Sequence, residues 1–572
     1  CSADGVLHAW PGDAIVLPSL EEGESYKVLN DSFASISDNV LTALEPGILG
    51  VRCIDSASVT NVLPVLILPE KIGVGAIYLF DQASASATAG GTLLWSDASL
   101  WKRLDGVGNA SYPHTPDDTA IIALYGNAKE PKFQFDSVAE TLVGSVYMGR
   151  FDDSYPGSIA NFTIGTAGDQ VVYRRVDGGM PVVRHCQNSI YSGMLILNGT
   201  HKFENADVNV SVGAPSSGLR IGLAGVGEAV FHDSSCDIDS LDIGRGAGTG
   251  RVEIVGGTLA AKRIIMAQDA ISVGVLSISN GAAVASAGDT VVGNKGSSIL
   301  EVGEGGVLTI NGGEGLLLST DKSASYTTNT VLQTGGLIEV KPNFSNGTLR
   351  DVTLLQEGDI GCCARLQLNG GIMRVLRVKG GDGSHAKNPS KDGVASISAN
   401  GGTLEAIKEG RFLYDLEHVE CGPSGLTIVS DYDITNAVDF VDMEGSPGVL
   451  TMKGSGVKTL TGGNTTVSRI VVSGGKVVFA AGARTVSELV LIDGAEVVFE
   501  DAPAESGIKK LVLGSHGSFG TIRCTADSTL EFACPIEIMS ARIALGGMFE
   551  AGRSYVLMTT SGPVDHGSMG AW

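Results

Sequence analysis

The sequence is short of aromatic residues (6%) and of charged residues (18%), and its positive charge is scarcer still. Lys and Arg number 39 against 63 Asp and Glu, a net charge of −24. Such a balance argues against binding a phosphate backbone, which calls for a basic face, so no nucleic-acid partner is expected. Long apolar runs are missing too. The longest, Val62 to Leu68, is interrupted by Pro64, and no transmembrane helix is expected. CxxC pairs do not occur, which leaves zinc ribbons and thioredoxin-like redox sites without support. Gly-x-Ser-x-Gly, HExxH and P-loop motifs are lacking as well.

Glycine, by contrast, is plentiful: 79 of 572 residues, about twice the usual share. It does not recur at every third position, so collagen is excluded. The chain is 43% hydrophobic with a mean hydropathy of +0.19, enough to bury a core.

The nine cysteines stand at 1, 53, 186, 236, 362, 363, 421, 524 and 534. Cys524 and Cys534 could close a hairpin-like loop, and Cys1 with Cys53 could tie down the first domain. The alternative is that most are small buried apolar residues. Because Cys1 stands first, it is also where a processed bacterial lipoprotein would carry lipid, unless it marks only a boundary.

Residues 1–70 read as an N-terminal Ig-like β-sandwich. Five short apolar segments, from Asp13–Pro18 to Val62–Leu68, alternate with turns. The run from Asn39 to Asp55 resembles the later strands of bacterial Ig-like domains. Residues 71–130 form a Trp-containing linker or cap. Trp95 and Trp101 could cover the open end of a stacked core; a platform for stacking sugar rings is the functional alternative.

From 131 to 572 the pattern repeats. Phe479, Phe499 and Phe519 recur every twenty residues, each closing a strand–turn–strand unit. That period, with β-branched strands and Gly-containing corners, predicts a β-solenoid in which the three rings stack as an internal ladder. Upstream, Ile221-Gly222, Ile243-Gly244, Met266-Ala267 and Val292-Gly293 recur with a looser step. Asn-Gly corners recur as well, at 198, 280, 311, 346, 369 and 400, where positive φ is tolerated. At ~20–23 residues per turn this region makes about 20 coils.

The segment from Pro447 to Thr466 resembles the autotransporter-associated β-strand repeat, with its Leu-Thr, Lys-Gly-x-Gly, Leu-Thr-Gly and Asn-Thr elements. Residues 243–259 resemble its companion repeat, and 549–562 the last coil of such passengers. The resemblance implies a right-handed parallel β-helix at a bacterial cell surface. No outer-membrane barrel follows residue 572 here, so export by such a barrel is not an expectation for this chain.

Many β-helices cleave polysaccharides with two carboxylates set across a groove. The candidate pairs are Asp117/Asp118, Asp152/Asp153, Asp237/Asp239 and Asp431/Asp433. Only the last two share a strand face, and neither has a basic partner nearby in sequence, so solvated acidic positions are the plainer reading. His516 reads as a turn histidine. No cofactor is expected; calcium at acidic loops is the one ion considered, since Gly380–Ser384 is a lone fragment of the calcium-binding β-roll repeat. The loop 379–393 gathers Lys379, His385, Lys387 and Lys391 in an otherwise acidic protein, and could meet an acidic neighbour, including a second copy. Three functions follow as expectations: a self-associating subunit of an extracellular filament or surface layer, an adhesin binding a host or a glycan along the helix flank, and a polysaccharide-active enzyme.

Overall fold

The computed structural model describes the chain except residues 1–4, 29–30, 56–57, 71–74, 83–91, 106–110, 125–130, 136–140, 152–160, 176–178, 187–193, 211–216, 343–348, 358–359, 463, 481–482, 501–506, 516, 526–529, 533, 547–557, 561 and 566–572. The protein is all-β: among the described residues 46 strands join one sheet with parallel pairing throughout its body, and one 3-10 turn spans Ala98–Leu100. This is a β-solenoid. Two compact units divide it: residues 1–276 with 281–285, and residues 277–280 with 286–572.

Seven strands open the first unit: β1 (Leu7–Ala9), β2 (Ala14–Val16), β3 (Glu24–Val28), β4 (Ala34–Ser37), β5 (Val40–Ala43), β6 (Gly47–Asp55) and β7 (Ser58–Ile67). They form two sheets, β1-β7-β6-β3 and β2-β5-β4. All pairs are antiparallel except β1–β7. Alternation explains the second sheet: in β5 Leu41 and Ala43 point inward while Val40 and Thr42 are half-exposed.

Among the described residues this domain shares its core with the first coils. Phe33, Leu41, Ile48, Val51 and Leu66 belong to one apolar cluster with Ile77, Ile121, Tyr147, Phe151 and Cys186 of the first coils. Glu45 completes the join as an ion pair with Arg184, 2.8 Å.

Four further strands follow: β8 (Ile77–Phe80), β9 (Leu93–Leu94), β10 (Trp101–Arg103) and β11 (Thr119–Leu124). β8 already lies parallel to β11, with Ile77 level with Thr119. The solenoid therefore starts at Ile77, ahead of the 131 read from the repeats. Its first coils carry long insertions that break the period, which is why 71–130 reads as a linker. On one flank of the first unit, strands starting at Ile77, Thr119, Ser145, Val182, Asp207, Ser235, Thr258 and Ala283 stack in turn. In the second unit one flank runs through eleven strands, from Val307–Ile310 to Val564–Asp565.

The corners explain the glycines. Gly222 and Gly244 adopt φ of +72° and +74°, and a Cβ on either would stand 2.1 Å from a carbonyl oxygen of the next coil. Positive φ and close backbone approach together leave room for glycine alone. Ala267 holds the same backbone region, φ 47°, at the equivalent place one coil on.

Candidate functional site

Of the carboxylates considered for catalysis, Asp118, Asp239, Asp431 and Asp433 fasten coil to coil. Where the chain turns a corner the ladder breaks, and backbone N–H groups need another acceptor. Short Asp and Asn side chains supply it. The Ser455 amide and hydroxyl donate to Asp431 Oδ1 at 2.9 and 3.0 Å, and the Val457 amide donates to Asp433 Oδ1 at 2.8 Å. Asn464 donates to Asp439, and Gly448 and Ser468 donate to Asp442. These bonds hold the Asp431 carboxyl below the usual carboxylate range. The first unit uses the same device: Ala76 donates to Asp118, Phe135 and Thr166 to Asp169, and Leu223 to Asn198. Sequence reasoning missed it, although in several cases an Asp or Asn stands 24 to 26 residues ahead of the amide that donates to it.

Asp237 and Asp239 differ from each other. Asp239 is buried, takes a hydrogen bond from Ser217 (2.7 Å) and pairs with Lys262. Its basic partner is thus 23 residues away in sequence but one coil away in space. Asp237 is exposed, and partial desolvation, helped by the charge of Asp239, pushes its carboxyl up. Beside them Asp242 is buried between Arg220 (3.2 Å) and Arg245 (3.3 Å) and accepts from Ser240. Asp152, Asp153 and His516 lie outside the described residues.

The tryptophans are enclosed. Trp95 is 1% exposed and Trp101 5%. Their rings lie 4.8 Å apart, and Phe133 and Phe135 close on Trp95 at 5.3 and 5.1 Å. Trp95 Nε1 donates to the Pro113 carbonyl and Trp101 Nε1 to the Trp95 carbonyl. β10 runs antiparallel along β8, Trp101 level with Phe80. The pair packs over the first coil, and neither ring offers a free face to a sugar.

The ladder of three phenylalanines has two members in register. Phe479 and Phe499 stack at 5.4 Å and 11°. Phe519 does not join them. Glu496 is level with Thr521 and Val497 with Ile522, a step of 25 rather than 20, because the chain after Phe499 takes an insertion. Phe519 instead lies under the Arg542 guanidinium at 3.5 Å, and Phe532 meets Phe499 edge-on. A ladder that the sequence hid runs through Tyr173, Phe203 and Phe231, stacked at 4.5 and 4.7 Å. Buried His201 packs on Tyr173, its Nε2 2.9 Å from the Asn198 carbonyl, and burial pushes its pKa down to about 4.

The basic loop is tied in place. Lys379 pairs with Asp351 at 2.8 Å and Lys387 with Asp382 at 2.7 Å. His385 Nδ1 meets the Lys391 carbonyl at 2.7 Å. Glu417 pins the base of the loop, accepting from the Ala386 and Ala395 amides at 2.8 and 2.9 Å. Lys379 also belongs to a larger group. On three successive coils, the corner entering strands Asp351–Leu354, Val378–Gly380 and Gly410–Tyr414 carries Lys341 and Arg350, then Arg374, Arg377 and Lys379, then Lys408 and Arg411. Arg377 and Lys379 share the one buried carboxylate of Asp351. Arg350 donates to the Gly313 and Lys341 carbonyls.

Lys458 is wholly buried, donates to the Gly454 and Gly456 carbonyls, and is pushed down to about 8 by desolvation. Cys186, Cys236, Cys362, Cys421 and Cys534 are buried free thiols; burial pushes that of Cys186 up to about 11. The side chain of Cys524, and Cys1 entirely, lie outside the described residues, so the disulfide and lipid readings rest on the sequence. Among the described residues no three His, Cys, Asp or Glu side chains gather as metal ligands, and no helix is long and apolar enough to cross a membrane. In comparisons with known proteins, the chain matches no family model, no curated protein and no solved structure.

Proposed function

We propose that the chain is a structural subunit working outside a bacterial cell, not an enzyme, and that it assembles copy to copy into a filament or surface layer. One observation carries the reading: the polar side chains that invite a catalytic assignment are spent on fastening coils, Asp431 and Asp433 on the next coil's amides and Asp239 on Ser217 and Lys262. The resemblance to passenger repeats adds the right-handed sense and the surface location, and the separate resemblance of residues 39–55 to bacterial Ig-like domains adds the Ig-like character of the first seven strands. Sedimentation and electron microscopy of the purified chain test it. Regular polymers are the expected result; monomers at every concentration and salt would overturn it.

An adhesin is the second reading, and one residue favours it. Tyr326 is 79% exposed, beside Ile360 at 53%. Its amide donates to the Ile360 carbonyl at 2.9 Å. An exposed ring held at a bend just ahead of the strand Thr328–Val340 suits stacking against a sugar. A glycan array, with Tyr326→Ala as control, decides that reading.

A further inference from the structure

Charge is distributed unevenly along this acidic chain. Residues 341–411 hold ten Lys and Arg against seven Asp and Glu, a net of +3. Residues 1–70 hold two against ten, a net of −8. In the second unit the positive residues gather at the three-coil corner described above. Three of its cations are well exposed: Lys341, Lys408 and Arg411. Acidic corners bound it on both sides, with Glu314 one coil before and Asp431 and Asp433 one coil after. It is a confined basic patch rather than a basic face.

The acidic domain has a matching tip. The Leu17 amide donates to the Asn39 carbonyl, which sets the β2–β3 and β4–β5 turns side by side. Glu21, Glu22, Glu24 and Asp38 lie on these turns, the first two and Asp38 exposed, and neither turn carries a Lys or Arg. Glu24 is level with Asp55, at the far end of β6 from Ile48, whose side chain joins the core shared with the first coils. The domain is therefore anchored at one end and presents negative charge at the other.

We propose that the basic corner of one copy receives the acidic tip of the N-terminal domain of a second copy. The proposal rests on the assembly reading above and supplies its contact. Such a contact joins unlike patches, so a joined pair still has one free patch of each kind and can add further copies. Opposite potentials steer the encounter and fix its register, while the remaining negative charge keeps other approaches apart. At physiological salt the Debye length is about 8 Å, so assembly weakens as salt rises.

Two charge-reversed variants test it. One carries Lys341→Glu, Lys408→Glu and Arg411→Glu; the other carries Glu21→Lys, Glu22→Lys and Asp38→Asn. These side chains are exposed, and unchanged melting curves check that both variants fold. In low salt each variant alone should need at least about tenfold more protein to assemble than wild type. An equimolar mixture should assemble again, because each variant's tip now complements the other's corner. Variants that assemble like wild type, or a mixture that stays monomeric, overturn the docking while leaving a polymer formed in another way. A wild-type chain that stays monomeric in low salt overturns the docking, and one that stays monomeric at every concentration and salt overturns both. If wild type binds heparin, used as an anionic glycan probe, only through Lys341, Lys408 and Arg411, and does not self-associate, the corner is a glycan site and the proposal falls.

Discussion

The first coils and the later ones solve the same packing problem differently. In β11 and in Ser145–Arg150 all six residues are buried, because the N-terminal domain covers what would be the outer face. In Val449–Lys453 and Arg469–Ser473 buried residues alternate with exposed or half-exposed ones. There the outer face carries charges that pair along the stack: Arg469 with Glu488 (2.8 Å), Glu488 with Lys510 (3.2 Å), and Lys510 with Glu537 (2.8 Å). One region draws its cohesion from apolar area on two sides. The other draws it from one inner core, with a register set from outside.

The largest test of this contrast is at the cap. Trp95→Ala should cost about 3–5 kcal/mol, and Phe499→Ala, at a half-buried ring of the later coils, roughly half as much. Denaturant melts of both variants measure the difference; equal losses would erase the distinction. Next come the corners. Gly244→Ala should cost roughly 1–3 kcal/mol for its backbone strain, with the clash against the Val273 carbonyl added. Ala267→Gly, one coil on, should change stability by less than about 1 kcal/mol in the same melts.

Acid should separate the regions in sequence. His201 titrates near 4 when folded and at 6.5 when unfolded, so the unfolded chain binds its proton first as pH falls. Stability of the first unit should therefore drop between pH 6.5 and about 4. Asp431 and Asp493, both in the second unit, have folded pKa values held below the ordinary 3.8. Their contribution is complete above that value and is lost only as pH falls below it. Lys458 acts at the other end: with its pKa lowered from 10.5 to about 8, stability of the later coils should rise across that alkaline window. Hydrogen exchange at stepped pH, with His201→Gln flattening the first step, reads all three. Smallest is the outer charge ladder. Glu488→Gln should cost no more than about 1 kcal/mol, and less in high salt, because both of its partners are about half exposed.

The same contrast governs what the sequence reveals. Where one face meets water, alternation shows, and Phe479 and Phe499 can be paired by counting. Where both faces are covered, Thr119–Leu124 reads only as an apolar run that could belong to any buried element. Tyr173, Phe203 and Phe231 stand 30 and 28 residues apart, so their stack leaves no period to find. The carboxylates were visible, but the amides that donate to them lie one coil away, and no local motif records that distance. The basic loop at 379–393 was likewise legible as composition. Its membership in a corner spread over three coils needed the register.

The reversed direction of β10 has a consequence of its own. A parallel ladder is a template: any strand that matches its spacing can extend it, and so can a strand of another molecule. β10 lies across that template in the opposite sense, is three residues long and ends in Lys102 and Arg103. The outer edge it leaves is too short and too charged to seed the next strand. If copies assemble as proposed, a contact at this end would run through side chains, and what side chains join, dilution or salt can part again.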